Sequence, residues 1–340
     1  MKTAVVTGCP GQDASYLSEL LLEKGYKVYG IYRRSSTEKS ASNMAVAENH
    51  TDFHQINLDI TDASGIFSII SHIRPDEYYN LAAMSHVGQS FKEPISCAYV
   101  NGTAVTIALE AIAKHSPHTR FYQASTSEMF GGITESQSET TPFVPRSPYS
   151  AAKLYAHNMV DIYRKSYGIY ACCGILFNHE SPRRGFDFVT RKITSGIARY
   201  KLGLSGHIEL GNLAAKRDWG HAKDYVRAMW MMLQAQTPSD YVVATGETIS
   251  IKDALEYVCS IAGVDPNEAC KINPAFNRPL EVNVLCGDPS KIKRELGWQP
   301  EYTWQDLLYE MYQHDYSINY SQSVLNNSGK EKVEETQVQA

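Results

Sequence analysis

The chain has 340 residues, 43% of them hydrophobic and 20% charged, with a formal net charge of -5. That is enough apolar material for one large domain or two coupled ones, and without a basic stripe it favours no nucleic-acid partner. Residues 2–7 form a strand-like run rather than a secretion signal. No apolar run is expected to reach membrane-spanning length, and seven cysteines without a C-x-x-C pair are expected as reduced thiols in a cytoplasmic protein.

Strand and helix patterns alternate through the first half. Apolar runs at 3–7, 28–32, 77–81 and 120–125 read as strands, and 16–23, 66–73 and 100–114 read as helices. The alternation predicts an α/β fold, a Rossmann-like, doubly wound parallel sheet that binds ligands at the carboxyl ends of its strands. A long helix is predicted over 149–167, with Ser147 as its cap and Pro148 in the first position, where no amide hydrogen is needed. Further helices start at Ser250 and Thr303, each with an aspartate three residues on. The stretch Met229-Trp230-Met231-Met232-Leu233 reads as a buried helix face. The expected organisation is a Rossmann domain over 1–177, a smaller mixed α/β lobe over 178–316 with segments returning to the first domain, and a disordered tail over 317–340. No metal site is expected: His50 and His54 are four apart in a strand-like stretch without a third ligand.

Four motifs carry chemistry. Gly8-Cys9-Pro10-Gly11 follows the first strand and precedes a helix, with Ala14 at the third small position. Such a turn lets backbone amides approach a pyrophosphate at the helix N-terminus. The second strand ends in Arg33-Arg34-Ser35-Ser36, where an NAD site usually has an acid. Two cations and two hydroxyls there suit the 2′-phosphate of NADP. Tyr149 and Lys153 stand four apart on one helix face, so the ammonium can lower the phenol's pKa and make it a base. Ser125-Thr126-Ser127-Glu128 stands at the end of the strand run 120–125 and brings hydroxyls and an acid to the same sheet edge.

Ser/Thr with a downstream Y-x-x-x-K resembles the extended short-chain dehydrogenase/reductase family. The likeness is more specific to the GDP-mannose 4,6-dehydratases. It is carried by the opening Gly8 to Leu17, by Arg33-Arg34-Ser35-Ser36, by Phe121 to Glu128 and by Pro145-Arg146-Ser147-Pro148-Tyr149. Phe177-Asn178-His179-Glu180-Ser181-Pro182-Arg183-Arg184-Gly185 and the run Lys216 to Tyr225 are similar as well. Ala14 and Met84 depart from the family's usual glycine and glutamine, and a segment near 265–277 is shorter than usual.

The resemblance implies NADP contacts from Gly8, Cys9, Pro10, Gly11, Gln12, Asp13, Arg33, Arg34, Ser35, Asp59, Ile60, Leu81, Ala82, Ala83, Ser85, Tyr149, Lys153, His179 and Arg184. It implies catalytic roles for Thr126, Glu128, Tyr149 and Lys153. A GDP-sugar site is implied at Ser85, Thr126, Glu128, Tyr149, Asn178, Val189, Lys192, Arg217, Arg278 and Glu281. The implied reaction is the dehydration of GDP-mannose to its 4-dehydro-6-deoxy product by internal hydride transfer, in a homodimer or homotetramer without membrane or nucleic-acid partners. A GDP-manno-heptose dehydratase, a sugar-nucleotide 4-epimerase or reductase, and a catalytically silent NADP-binding protein are the alternatives. The silent protein has no need of Tyr149, Lys153 and Glu128, and the epimerase has no need of Glu128.

Overall fold

The computed structural model describes residues 1–33, 41–133, 135–276 and 282–338; of residues 41, 42 and 325–338 only the backbone is described. The chain divides into two compact units. The first comprises Met1–His179, Lys216–Thr248 and Arg278–Tyr302; the second comprises Glu180–Ala215, Ile249–Asn277 and Thr303–Ala340.

The first unit is built on a seven-stranded parallel sheet. Its strands include β1 (Thr3–Cys9), β2 (Lys27–Tyr32), β3 (Phe53–Asn57), β4 (Glu77–Asn80), β5 (Arg120–Thr126) and β6 (Ala171–Leu176). The order across the sheet is Tyr241–Val243, β6, β5, β4, β1, β2, β3. The doubly wound sheet expected from the alternation is therefore present. Its strand order reverses between β1 and β4, and a crevice opens at such a switch point beyond the strands' carboxyl ends.

The two faces follow from the period of two along each strand. Ala4 and Val6 join one core with Leu17, Leu21, Met229, Met232 and Leu233. Val5 joins the other with Tyr78, Leu109, Ile112 and Phe121. The methionine-rich stretch is thus a core face, as its composition suggests. The helix Pro148–Tyr167 starts on a capping box between Ser147 and Ser150, has Pro148 in its first turn, and ends on the left-handed Gly168.

One expectation is overturned here. Pro94–His115 is 22 residues long and holds an 18-residue window of mean hydropathy 1.4, enough to cross a membrane by length and composition, although no such run was expected. Half of it is buried within the protein, because it packs with Ala63–Ile73 and Pro148–Tyr167 on one face of the sheet. Its single π turn, Tyr99–Thr103, joins two α-helical pieces. All seven cysteines are free.

In the second unit, the helices Val189–Lys201, Ile251–Ala262 and Trp304–Val338 pack on one another, and Ile193, Ile197, Leu255, Val258, Leu307, Leu308 and Met311 on them are buried. Two short strands, Ile208–Leu210 and Cys270–Ile272, pair in parallel. The sequence leads one to expect a disordered tail from residue 317, but the last helix runs on to Val338. One polar side chain of this stretch is partnered within the unit. Asn319 is buried, donates to the Asp315 carbonyl and accepts from Arg199.

Candidate active site

The turn after β1 is shaped by two glycines. Gly8 has φ +90°, and a Cβ on it would lie 2.8 Å from the Ala82 nitrogen. A Cβ on Gly11 would lie 2.7 Å from the Gly8 carbonyl oxygen. Neither position admits a side chain, so bare backbone faces whatever occupies the crevice. The helix Gln12–Glu23 begins on Gly11, without a side-chain cap. That leaves its N-terminus suited to an anionic group such as a diphosphate. Ala14 is buried at the third small position.

Buried side chains hold the strand ends in register. Thr7 Oγ1 donates to Asn80 Oδ1 and accepts from the Leu81 and Ala82 amides, each at 3.1 Å. Asn80 Nδ2 donates to Gln123 Oε1 at 2.9 Å, which links β1 through β4 to β5. Asn101, inside the π turn, accepts from the Met84 amide and donates to the Met84 carbonyl. The segment 81–85 is therefore fixed from two sides, with Ser85 exposed.

Arg33 lies at the end of β2 and is 75% exposed, 3.5 Å from Asp59. Asp59 is held below the usual carboxylate range by the Thr61 amide and hydroxyl, with Arg33 adding to it. Ile60 beside it is buried. Arg34 and Ser35 lie outside the described residues.

Asp13 and His179 meet at 2.8 Å through Oδ2 and Nε2. The other ring nitrogen faces the Phe177 carbonyl at 2.8 Å, and Tyr225 stacks on the ring at 4.4 Å. Both nitrogens face acceptors, an arrangement that the imidazolium form satisfies. Gln12 Nε2 donates to the His179 carbonyl.

The four candidate catalytic residues lie together at the carboxyl end of β5. Thr126 is its last residue, and its hydroxyl accepts from the Glu128 amide at 3.2 Å. Lys153 Nζ donates to the Ala124 carbonyl at 2.8 Å and stands 5.9 Å from the Tyr149 ring centre. This bond ties the first turns of the Pro148–Tyr167 helix to the strand that carries Thr126. All four side chains are at most 9% exposed. Burial pulls the Lys153 ammonium down to about 8, because a charge loses hydration there.

Of the expected sugar-nucleotide residues, Asn178 has a buried Oδ1 without a hydrogen-bond partner, as suits a group awaiting a donor. Arg217 is buried and donates to the Lys216 carbonyl. Val189 and Lys192 sit in the first turn of the Val189–Lys201 helix in the second unit. Arg184, in the segment before that helix, pairs with Glu180 at 3.1 Å. Arg278 and Glu281 lie outside the described residues.

A family model described as GDP-mannose 4,6 dehydratase matches residues 5–311. The chain belongs to the GDP-mannose 4,6-dehydratase family. A GDP-mannose 4,6-dehydratase of Yersinia enterocolitica is 46% identical over 348 residues, covering 92% of this chain and 93% of the relative. GDP-mannose 4,6 dehydratase 1 of Arabidopsis thaliana is 46% identical, covering 96% and 93%. Among solved structures, a dTDP-glucose 4,6-dehydratase of Bacillus anthracis in complex with NAD has a TM-score of 0.82 at 21% identity, covering 94% of this chain and 98% of that one. A UDP-glucose 4-epimerase of Thermotoga maritima has a TM-score of 0.81 at 24% identity, covering 94% and 99%. These structural likenesses establish the shared fold.

Within this GDP-mannose 4,6-dehydratase family member, sequence reasoning missed Thr7, Asn80, Gln123 and Asn101. Each is a polar residue in an apolar or helical run, and that mismatch is the signal that could have found them. It also missed the Asp13–His179 link, because the partners are 166 residues apart.

Proposed function

We propose that the chain dehydrates GDP-mannose to GDP-4-dehydro-6-deoxy-mannose, with NADP as its resident cofactor. The observation that carries this reading is the end of β5, where a buried acid, Glu128, stands two residues after Thr126, and Lys153, 5.9 Å from the Tyr149 ring centre, is bonded to the strand through Ala124. A 4-epimerase or reductase needs only the Thr-Tyr-Lys part, whereas elimination of water across C5 and C6 also needs a proton-transfer group.

When bound, the nicotinamide supplies a hydride acceptor for C4 and a donor for C6. Gly8 and Gly11 admit its diphosphate by leaving the turn without side chains, and the open N-terminus of Gln12–Glu23 faces that negative charge. Arg33, with Arg34 next to it in sequence, favours NADP by meeting a 2′-phosphate.

Tyr149 takes the proton of the C4 hydroxyl. The Lys153 ammonium favours the phenolate by its charge and holds the helix start through Ala124. Thr126 donates to the C4 oxygen as negative charge gathers there. The 4-ketone acidifies the C5 hydrogen. Glu128 removes that proton and delivers it to the departing C6 hydroxyl as water; as the hydride returns to C6, C5 regains a proton equivalent to the one Tyr149 took, so both side chains end as they began and substrate and product differ by H2O with no net redox change.

The test is GDP-mannose deuterated at C4, followed by mass spectrometry of the product. Loss of water with deuterium retained at C6, without crossover to an unlabelled sugar of different mass, is expected. An unchanged mass, or a continuous demand for added NADPH, overturns the reading.

A further inference from the structure

The mechanism leaves unused a buried ion pair in the second unit. Arg191, on the Val189–Lys201 helix, donates through Nη2 to Asp315 Oδ1 of the Trp304–Val338 helix at 2.7 Å. The two side chains are 4% and 2% exposed. Thr194 donates to the other carboxylate oxygen at 2.6 Å. The second amino group of Arg191 turns the opposite way. Its Nη1 donates to the Pro182 carbonyl and, at 3.1 Å, to the Arg184 carbonyl. One guanidinium therefore spans a carboxylate on one helix and two backbone carbonyls of the segment 181–188. A lysine, with a compact charge on a flexible stem, cannot reproduce that fork.

Short-range bonds also lie within the segment. The Arg184 amide donates to the Ser181 carbonyl, and the Phe188 amide donates to the Gly185 carbonyl. Glu180 anchors one end by accepting from Thr190 at 2.5 Å and pairing with Arg184. The Arg184 guanidinium lies 3.5 Å over the Phe188 ring. The segment leads into the turn that carries Val189 and Lys192. Arg191 follows Arg184 by seven residues and precedes Lys192 by one, so its side chain fixes the backbone between them.

We propose that Arg191, oriented by Asp315 and Thr194, is a positioning residue that holds Arg184, Val189 and Lys192 in their ligand-binding arrangement. This rests on the reading that these three meet cofactor and sugar nucleotide. Thr126, Glu128, Tyr149 and Lys153 belong to the other unit, so the pair acts on binding and leaves the bond-making steps alone.

The experiment compares full-length wild type with Arg191→Lys, Asp315→Asn and the milder Thr194→Val. It measures melting temperature, KM and kcat for GDP-mannose, Kd for NADP, and amide hydrogen exchange of a peptide spanning 181–188. Arg191→Lys is expected to raise KM on the order of tenfold with kcat within about threefold, because the loss falls on binding alone. It should also weaken NADP and speed exchange across 181–188, with Thr194→Val showing the same pattern at smaller size. A lower melting temperature with KM, Kd and exchange at wild-type values makes the pair structural only and overturns the proposal. So does a fall in kcat with KM unchanged. Should Arg191→Lys fail to fold, Thr194→Val decides by the same criteria. Wild type that binds NADP but leaves GDP-mannose intact overturns the functional reading alone, and NADP affinity with exchange still decides this one.

Discussion

Gly8→Ala tests the turn that would receive the cofactor. The substitution adds one methyl group and meets two obstacles. At φ +90° an L side chain strains its own backbone, a cost of about 1–3 kcal/mol. The new Cβ would also lie 2.8, 2.9 and 3.0 Å from Ala82 N, Ala82 Cα and the Leu81 carbonyl carbon. All three are backbone atoms of a segment pinned by Thr7 and Asn101, so no flexible side chain can yield. Overpacking of this kind costs about 1–3 kcal/mol more. Gly25→Ala is the matched control: its φ is +77°, with nothing within 4 Å of the added Cβ. It carries the strain without the clash. At about 1.5 °C per kcal/mol for a chain of this length, Gly8→Ala should lower Tm by roughly 3–9 °C and Gly25→Ala by roughly half as much or less. Differential scanning calorimetry reads both, and calorimetric titration with NADP should show a loss for Gly8→Ala alone. Equal Tm shifts, or an unchanged NADP affinity in Gly8→Ala, would refute the close approach of the turn to 81–82.

Glu128→Gln should lower dehydration by about 10²–10⁴ while enzyme-bound NADPH still forms on adding substrate, seen by absorbance; continued C5 exchange with heavy water would remove the acid from the scheme. Tyr149→Phe should instead block NADPH formation itself. Lys153→Met should abolish turnover yet hold Tm at pH 7 close to or above the parent's, because burial lowers the lysine from 10.5 to about 8 and its charge costs the fold about 3 kcal/mol. That cost is full below about pH 8 and fades as pH rises to 10.5, since the unfolded chain then binds more protons than the folded one. Wild type should gain stability on Lys153→Met across that window, and parallel Tm curves would contradict it. Arg33→Ala should weaken NADP about tenfold and leave NAD nearly unchanged, read by titration of each; equal losses would mean that the arginine does not read a phosphate.

The parts of the fold legible in the sequence were those written in short-range pattern. Alternation of apolar runs revealed the parallel sheet, and Ser147-Pro148 marked the start of the long helix. Tyr149 and Lys153 were legible because four residues of helix place them on one face. For contacts between distant residues the sequence marks at most the odd residue and not its partner, as with Thr7, Asn80 and Gln123 across three strands. The continuation of the last helix past residue 317 is not legible in the sequence, because burial of Asn319 there depends on Arg199, more than a hundred residues earlier. Within Pro94–His115 the helical pattern is legible in the sequence only over 100–114, and the apolar element extends beyond it.

The sheet ends on a strand that the chain supplies late. Tyr241–Val243 pairs with β6, yet 64 residues separate them in sequence, from Phe177 to Asp240. A ribosome that has released only the first 180 residues has made six strands and left β6, every residue of which is buried in the finished protein, as a raw edge. Such an edge invites pairing with other chains. Vectorial folding of this protein must therefore wait for the helix Ala222–Gln234 and its following strand, and a shortened gene ending near residue 177 should yield insoluble material rather than a free-standing nucleotide-binding module.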